Sequence, residues 1–309
     1  MSATLAIASA LTSSIPARFF DRLSQSRQRV LLLDYDGTIA PFSTHRNQAF
    51  PYPSVPELLD CIMSTCQTYV ALISGRAARE VPPLLGLNPH PEIWGTGGIE
   101  RLDANDQYSV ADVNEETGKA LAQAHAAVQH YGLEPLAELK PGALAIHWRN
   151  MNSSRVEEIR AKAYRAFSPF TGTHQLLLSE FDGGVELRLR TRSKGDVVRA
   201  MLARYDVTVP IAYLGDDSTD EEAFRVLNSR GLTVLVRPSA RFTAAQMWLR
   251  PPDELIQFLQ KWVQACGGQC SRTGNINKAT PLPADGFSSA YAPTATDRDA
   301  LSRIARFPS

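Results

Sequence analysis

No apolar run in the sequence reaches the roughly 18 residues that a membrane-crossing helix needs, so nothing reads as a span. Charge of one sign is missing too. Lys+Arg and Asp+Glu stand at 32 each, which argues against a surface devoted to nucleic acid or to another polyanion. Cysteine is scarce: Cys61, Cys66, Cys266 and Cys270 are the four in 309 residues. Four do not make a disulfide framework in a chain of this length, and reduced thiols in a cytoplasmic setting are expected. Cys266 and Cys270 flank "GGQ" with no second Cys or His pair nearby, so they read as loose thiols rather than metal ligands. The N-terminal "MSATLAIASALTSSIPARFF" has no basic residue ahead of its mildly apolar part. It reads as a short leader or first helix, not a secretory signal. Internal repeats are also lacking.

What is present is an alternation of buried strands and amphipathic helices. "RVLLLDYD" is a continuous apolar run, as expected for a strand covered on both faces. "TYVALISG", "EIWGTGG", "PIAYLGDD" and "GLTVLVR" are further strands. Between and after them, "SVPELLDCIMSTC", "SKGDVVRAMLARY", "STDEEAFRVLNSR" and "PPDELIQFLQKWVQAC" have helical spacing, the first with Ser54 as a candidate cap. The pattern predicts an α/β fold with a doubly wound parallel sheet. The middle differs. Helices "ETGKALAQAHAAVQHYG" and "SSRVEEIRAKAYRAF" alternate with hairpins that turn at Pro141-Gly142 and at Asp182-Gly183-Gly184. This reads as an α+β cap inserted into the parallel domain. The expected organisation is an N-terminal extension over 1–27, a core of 28–100 and 191–263, and the cap over 101–190. A disordered tail is expected over 264–309, with a short helix around "DRDALSRIARF".

Doubly wound sheets bind ligands at the carboxyl ends of their strands, so the residues there carry the information. After the first strand come Asp34, Asp36 and Thr38, and after the second Ser74, Gly75 and Arg76. A later strand ends in Asp216 and Asp217, with Asp220 one turn on, and Lys194 opens the helix after the cap. Carboxylates, hydroxyls and an ammonium gathered at one edge suggest a site for a hard cation. Few protein ligands, all oxygen, suit Mg²⁺, which keeps waters and takes substrate phosphate. A carboxylate beside such an ion can act as a covalent nucleophile. "DYDG" does not fit a calcium loop, which wants a glutamate at its twelfth position where this chain has His45.

The motifs "DYDGT", Ser74, Lys194 and "GDDSTDE" resemble, in order, the four motifs of the haloacid dehalogenase superfamily of phosphatases. More narrowly, "LLLDYDGTIAPF", "LISGR", "ELKPGALAIHWR", "GVELR", "SKG" and "YLGDDSTDEEAF" are similar to the trehalose-6-phosphate phosphatase family over about residues 28–262. The resemblance implies that Asp34 takes the phosphoryl group. Asp36 would be general acid and then base, and burial beside other carboxylates is expected to let it carry the proton. Ser74 and Lys194 would hold phosphoryl oxygens, and Thr38 would orient the loop. Asp34, Asp216 and the backbone carbonyl of Asp36 would bind Mg²⁺, with Asp217 supporting the shell.

In the cap, strand alternation puts Glu138 and Lys140 on one face, and His147 and Arg149 on one face, as a sugar would require. Glu186 matches a family glutamate that binds the sugar, and Arg76 matches the "SGR" arginine at the mouth. The family pattern "GxHGxE" reads "GTGGIE" here: Gly97 replaces the histidine while Glu100 is kept. The expected partner is a small sugar phosphate, with no nucleic acid, no membrane and a monomeric chain. Glucosylglycerol, glucosylglycerate and sucrose phosphates remain open as substrates, as do a phosphomutase and a silent sensor. His125, His130 and His174 read as surface residues. Trp94, Trp148 and Trp248 read as packing residues, with Trp148 able to stack near a sugar.

Overall fold

The continuous apolar runs become strands because both faces of each are covered. The structure, a computed structural model, describes residues 15–43, 45–172 and 175–268, and these all fall in one compact unit. The expected tail helix, His174 and Cys270 lie outside the described residues. In chain order the elements are α1 (Ile15–Gln25), β1 (Arg29–Leu33), α2 (Val55–Thr65), β2 (Thr68–Ile73), α3 (Val81–Leu85), β3 (Glu92–Gly95), β4 (Glu100–Leu102) and β5 (Tyr108–Val110). The chain continues through α4 (Glu115–His130), β6 (Ala137–Lys140), β7 (Ala143–His147), α5 (Ser153–Phe167), β8 (Leu176–Phe181) and β9 (Gly184–Leu189). It closes with α6 (Lys194–Arg204), β10 (Ile211–Gly215), α7 (Asp220–Leu227), β11 (Leu232–Val236), β12 (Met247–Leu249) and α8 (Asp253–Ala265).

The large sheet has the order β12-β11-β10-β1-β2-β3-β4-β5. From β12 to β3 every pairing is parallel; β4 and β5 add an antiparallel edge. Alternation along each strand divides its side chains between two cores. Leu31, Leu33, Leu72 and Leu214 pack with Phe19, Phe20 and Leu23 of α1, Leu59 and Ile62 of α2 and Trp262 of α8. Val30, Leu32, Ile73 and Tyr213 pack on the other face with Val198 of α6 and Phe224 of α7. No helix among the described residues is long and apolar enough to cross a membrane.

The second sheet is antiparallel, in the order β6-β7-β9-β8. One of its faces packs on α4 and α5 through Leu121, Ile146, Phe167 and Leu187. Its other face turns toward the strand ends of the large sheet, joined by the small apolar cluster Ile99, Ala143 and Leu189.

Several local expectations shift. The expected cap boundary at 101 falls inside β4, because Glu100–Leu102 and Tyr108–Val110 pair with the large sheet. Residues from Ile15 are not an appendage, since α1 buries Phe19, Phe20 and Leu23 under the sheet. Ser54 precedes α2 in a left-handed conformation, with φ 71°, and makes no side-chain cap bond. Strand β7 stops at His147, and Asn150, at φ 64°, takes the chain out of line. The alternation argument therefore does not reach Arg149. Cys61 is disulfide-bonded. Cys66 and Cys266 are free, and burial beside Cys66 pushes the Cys266 thiol up to about 12.

Trp262 lies at the centre of the α1–α2–α8 face, fully buried, with its indole N–H donating to Thr68 Oγ1 at 3.1 Å. Trp262→Ala is expected to lower stability by about 3–5 kcal/mol through the cavity it leaves. Urea unfolding measures this, and a loss below about 1 kcal/mol would mean that α8 is not integral to the core.

Candidate active site

Parallel order puts the carboxyl ends of β1, β2 and β10 at one edge, and Asp34, Ser74 and Asp216 follow those strands directly. The first turn of α6 faces the same edge. Ser193 caps that helix, its side chain accepting from Asp196 N, and so fixes Lys194 at its start. Lys194 Nζ lies 2.8 Å from Asp34 Oδ1 and 2.8 Å from Asp220 Oδ1. All three side chains are buried, and flanking by two carboxylates keeps the ammonium charged despite its burial.

Asp34 itself is pushed up to about 7 by burial, with Lys194 pulling down and Asp220 pushing further up. Thr38 Oγ1 donates to Asp34 Oδ2 at 3.4 Å. Asp216 is driven well above the usual carboxylate range by burial and then by Asp34 and Asp220. Both oxygens of its carboxylate are buried without a hydrogen-bond partner. An ionised carboxylate cannot stay buried without a compensating charge. The pair Asp34 and Asp216 therefore fits a hard dication, which supplies at Asp216 the charge that no protein donor does.

Asp220 lies within the same acidic group, and its ligand atom is within 4.8 Å of those of Asp34 and Asp216. Its oxygens are already used. Oδ2 accepts from the backbone N–H of Asp216 at 3.0 Å and of Asp217 at 2.9 Å, and Oδ1 accepts from Lys194 and Tyr213. Asp220 shapes the turn and holds the lysine, leaving the open coordination to Asp216. Glycine is required at two approaches. Gly37 has φ +82°, and a Cβ there would come 2.3 Å from Asp216 Oδ2. A Cβ on Gly215 would come 2.4 Å from the Asp220 carboxyl carbon.

Asp36 departs from expectation. Both its oxygens accept from Arg76, at 2.6 Å from Nε and 2.7 Å from Nη2. Its neighbour is a guanidinium, not a crowd of carboxylates, because the chain turns between Asp34 and Asp36 and faces them apart. Asp217 also departs. Its carboxylate accepts from the backbone N–H of Asp182, at 2.9 Å, and from Ser218, so it serves the β8–β9 turn and stands outside the acidic group. Ser74 is fully buried, and its Oγ accepts from Arg76 N at 3.1 Å.

Four of the five expected sugar residues meet in one network facing this edge. Glu138 Oε2 lies 2.7 Å from His147 Nε2 and 4.0 Å from Lys140 Nζ. Lys140 Nζ lies 2.5 Å from Glu186 Oε1 and donates to Gly75 O at 3.1 Å. Burial raises Glu138 less than His147, Lys140 and Arg46 lower it, so it stays below the usual carboxylate range. The fifth, Arg149, points elsewhere: its guanidinium stacks 4.0 Å from the Phe42 ring centroid and donates to Asp182 O. Trp148 is buried in the small-sheet core, away from solvent. Gly97 adopts φ +63°, and a Cβ there would meet nothing within 4 Å. Histidine is among the residues that tolerate this conformation, so no steric bar accounts for its absence. A cavity of about 400 Å³ opens beside the site, lined by Phe181, Asp182, Asp217, Ser218, Arg237 and Arg241.

The residues reasoning from sequence passed over are Arg46, Glu80 and Tyr213, and Asp220 was seen without a role. For Asp220 the signal was its place four residues after Asp216. Arg46 had none, since "STHRNQAF" carries no periodicity.

The trehalose-phosphatase family profile matches residues 32–247. A trehalose-phosphate phosphatase of Mycobacterium tuberculosis strain H37Rv is 30% identical over 250 residues, covering 76% of this chain. The chain spans 61% of that relative's length. A probable trehalose-phosphate phosphatase of Arabidopsis thaliana is 25% identical over 266 residues, covering 78% of this chain and 74% of the relative. The solved C-terminal domain of a Candida albicans trehalose-6-phosphate phosphatase shares the fold at a TM-score of 0.66 and 20% identity, over 82% of this chain and 97% of that one. A phosphatase of the haloalkanoate superfamily from Bacteroides thetaiotaomicron shares it at 0.51 and 14% identity, over 77% and 96%. On the profile match, which runs from β1 to β12 through both sheets, the chain belongs to the trehalose-phosphatase family.

Proposed function

We propose that the chain hydrolyses trehalose 6-phosphate to trehalose and phosphate through an aspartyl-phosphate on Asp34. The observation that carries this reading is the buried triad of Asp34, Lys194 and an Asp216 whose carboxylate has no protein donor. We assign Mg²⁺ to Asp34, Asp216 and the backbone carbonyl of Asp36, a small all-oxygen set. Asp217 is dropped from that set because its oxygens are spent on Asp182 and Ser218. Once bound, the ion supplies positive charge between the nucleophile and the phosphoryl oxygens.

Asp34 attacks phosphorus in line, and the bond from phosphorus to the sugar oxygen breaks. Lys194 neutralises part of the charge on the phosphoryl group and holds Asp34 at a fixed angle. Ser74 donates to a phosphoryl oxygen. Asp36 leaves Arg76, takes up a proton from solvent, and gives it to the sugar oxygen. It then takes a proton from the water that attacks the aspartyl-phosphate, which frees phosphate and restores Asp34. Thr38 steadies Asp34 through its 3.4 Å contact.

The small sheet is assigned the selecting role. Glu138, Lys140, His147 and Glu186 present carboxylate, ammonium and imidazole groups to sugar hydroxyls, and Arg149 with Phe42 borders the mouth. We assign the reaction to the cytoplasm, where a dianionic sugar phosphate is retained by the cost of carrying charge through lipid.

With Mg²⁺ and a panel of sugar phosphates, Asp34→Asn is expected to cut phosphate release by about 10³-fold or more. Isomerised sugar without release would instead indicate a mutase, and binding without turnover a sensor. Removing metal with EDTA should abolish release, and Mg²⁺ should restore it to the native protein but not to Asp216→Asn. Restoration in both would remove Asp216 from the metal site. Glu138→Ala and Glu186→Ala should each lose about tenfold more activity on trehalose 6-phosphate than on a small phosphate ester, and equal losses would sink the sugar-binding role.

A further inference from the structure

Arg46 belongs to no motif, yet it touches both halves of the site. Its Nη1 lies 2.5 Å from Glu138 Oε2, and its Nη2 lies 3.0 Å from Glu80 Oε2. Its backbone carbonyl accepts from Arg76 Nη1 at 2.9 Å. Arg76 in turn holds both oxygens of Asp36. A continuous run of polar contacts thus leads from Glu138 in the small sheet to Asp36 in the large one.

The contacts on Glu138 are one-sided. Arg46, His147 and Lys140 all approach Oε2. That arrangement fixes the carboxylate plane and leaves Oε1 as the edge that can accept from a ligand hydroxyl. Arg46 cannot follow if Glu138 swings, because Glu80 grips the other limb of the guanidinium. A planar fork bonded at two points is needed for this, and a lysine offers only a single charged centre. Arg46 is half-buried at the seam between the sheets, so the pair is screened less than a surface ion pair would be.

We propose that Arg46 is a positioning residue for disaccharide recognition: it presents Glu138 Oε1 to the sugar and, through Arg76, ties that carboxylate to Asp36. The proposal rests on the phosphatase reading above and adds a residue to it. A small ester does not reach Glu138, so the dominant effect of Arg46 falls on the disaccharide phosphate.

The test is kcat/KM of the full chain with Mg²⁺ on trehalose 6-phosphate and on p-nitrophenyl phosphate. The variants are Arg46→Ala, Arg46→Lys, Glu138→Ala and the double variant Arg46→Ala/Glu138→Ala. Arg46→Ala is expected to lose about tenfold more on the disaccharide phosphate than on the ester, with Arg46→Lys between it and the native protein. The double variant should fall within about twofold of Glu138→Ala alone on the disaccharide phosphate, because Arg46 acts through Glu138. Additive losses, or equal losses on the two substrates, overturn the proposal. Thermal unfolding accompanies each variant; if Arg46→Ala does not fold, the same cycle is read with Arg46→Lys, and the same additivity overturns it. Native protein that turns over the ester but no disaccharide phosphate overturns the substrate reading and this proposal together. Native activity on trehalose 6-phosphate with an additive cycle overturns this proposal alone.

Discussion

The buried ammonium of Lys194 between Asp34 and Asp220 is the interaction on which the site depends. Three charged groups with almost no solvent contact are tolerable only because each has its opposite within 2.8 Å. Removing the cation would leave two uncompensated carboxylates in the core, beside a third in Asp216. The lysine can take this position only at the first turn of α6, whose capping serine sets the helix start. Asp220 can reach it only because Gly215 has no side chain in the way. The local backbone choices in "SKG" and "LGDDSTD" are thus consequences of a charge arrangement, not independent features.

Around this centre the protein separates two tasks. In the proposed reaction, the large sheet carries the groups that act on phosphorus, near its strand ends. The small sheet carries Glu138, Lys140, His147 and Glu186, to which that reading gives no part in phosphoryl chemistry. Asp36 sits between them on Arg76, away from Asp34. In the proposed reaction, holding Asp36 on Arg76 until substrate arrives avoids a direct repulsion between two neighbouring carboxylates.

The large-sheet order was legible because strands buried on both faces leave unbroken apolar runs, as in "RVLLL" and "LTVLV". The small sheet was legible through its turn residues at Pro141-Gly142 and Gly183. The edge strands β4 and β5 were not, since three-residue strands with a polar face leave no periodic signal. That Asp34, Lys194 and Asp216 come together was legible because strand ends and the helix starts beside them are local to the chain. Arg149 was misplaced because an alternation rule was carried past the end of β7. Adjacency in sequence to Asp216 did not show that Asp217 would spend its carboxylate on Asp182 N and Ser218. Arg46 was invisible for the same kind of reason, since its partners lie 34 and 92 residues away.

The seam between the two sheets is unusual in its composition. Apart from the Ile99, Ala143 and Leu189 cluster, the contacts across it are ionic, hydrogen-bonded or stacked: Arg46 to Glu138, Lys140 to Gly75, Asp182 to Asp217 and Arg237, and Arg149 to Phe42. Each sheet keeps its own apolar core. Parting the layers would therefore expose little hydrocarbon and carry little change in heat capacity. The enthalpy of parting would then hardly change with temperature, while the balance would shift with ionic strength as the charges across the seam are screened.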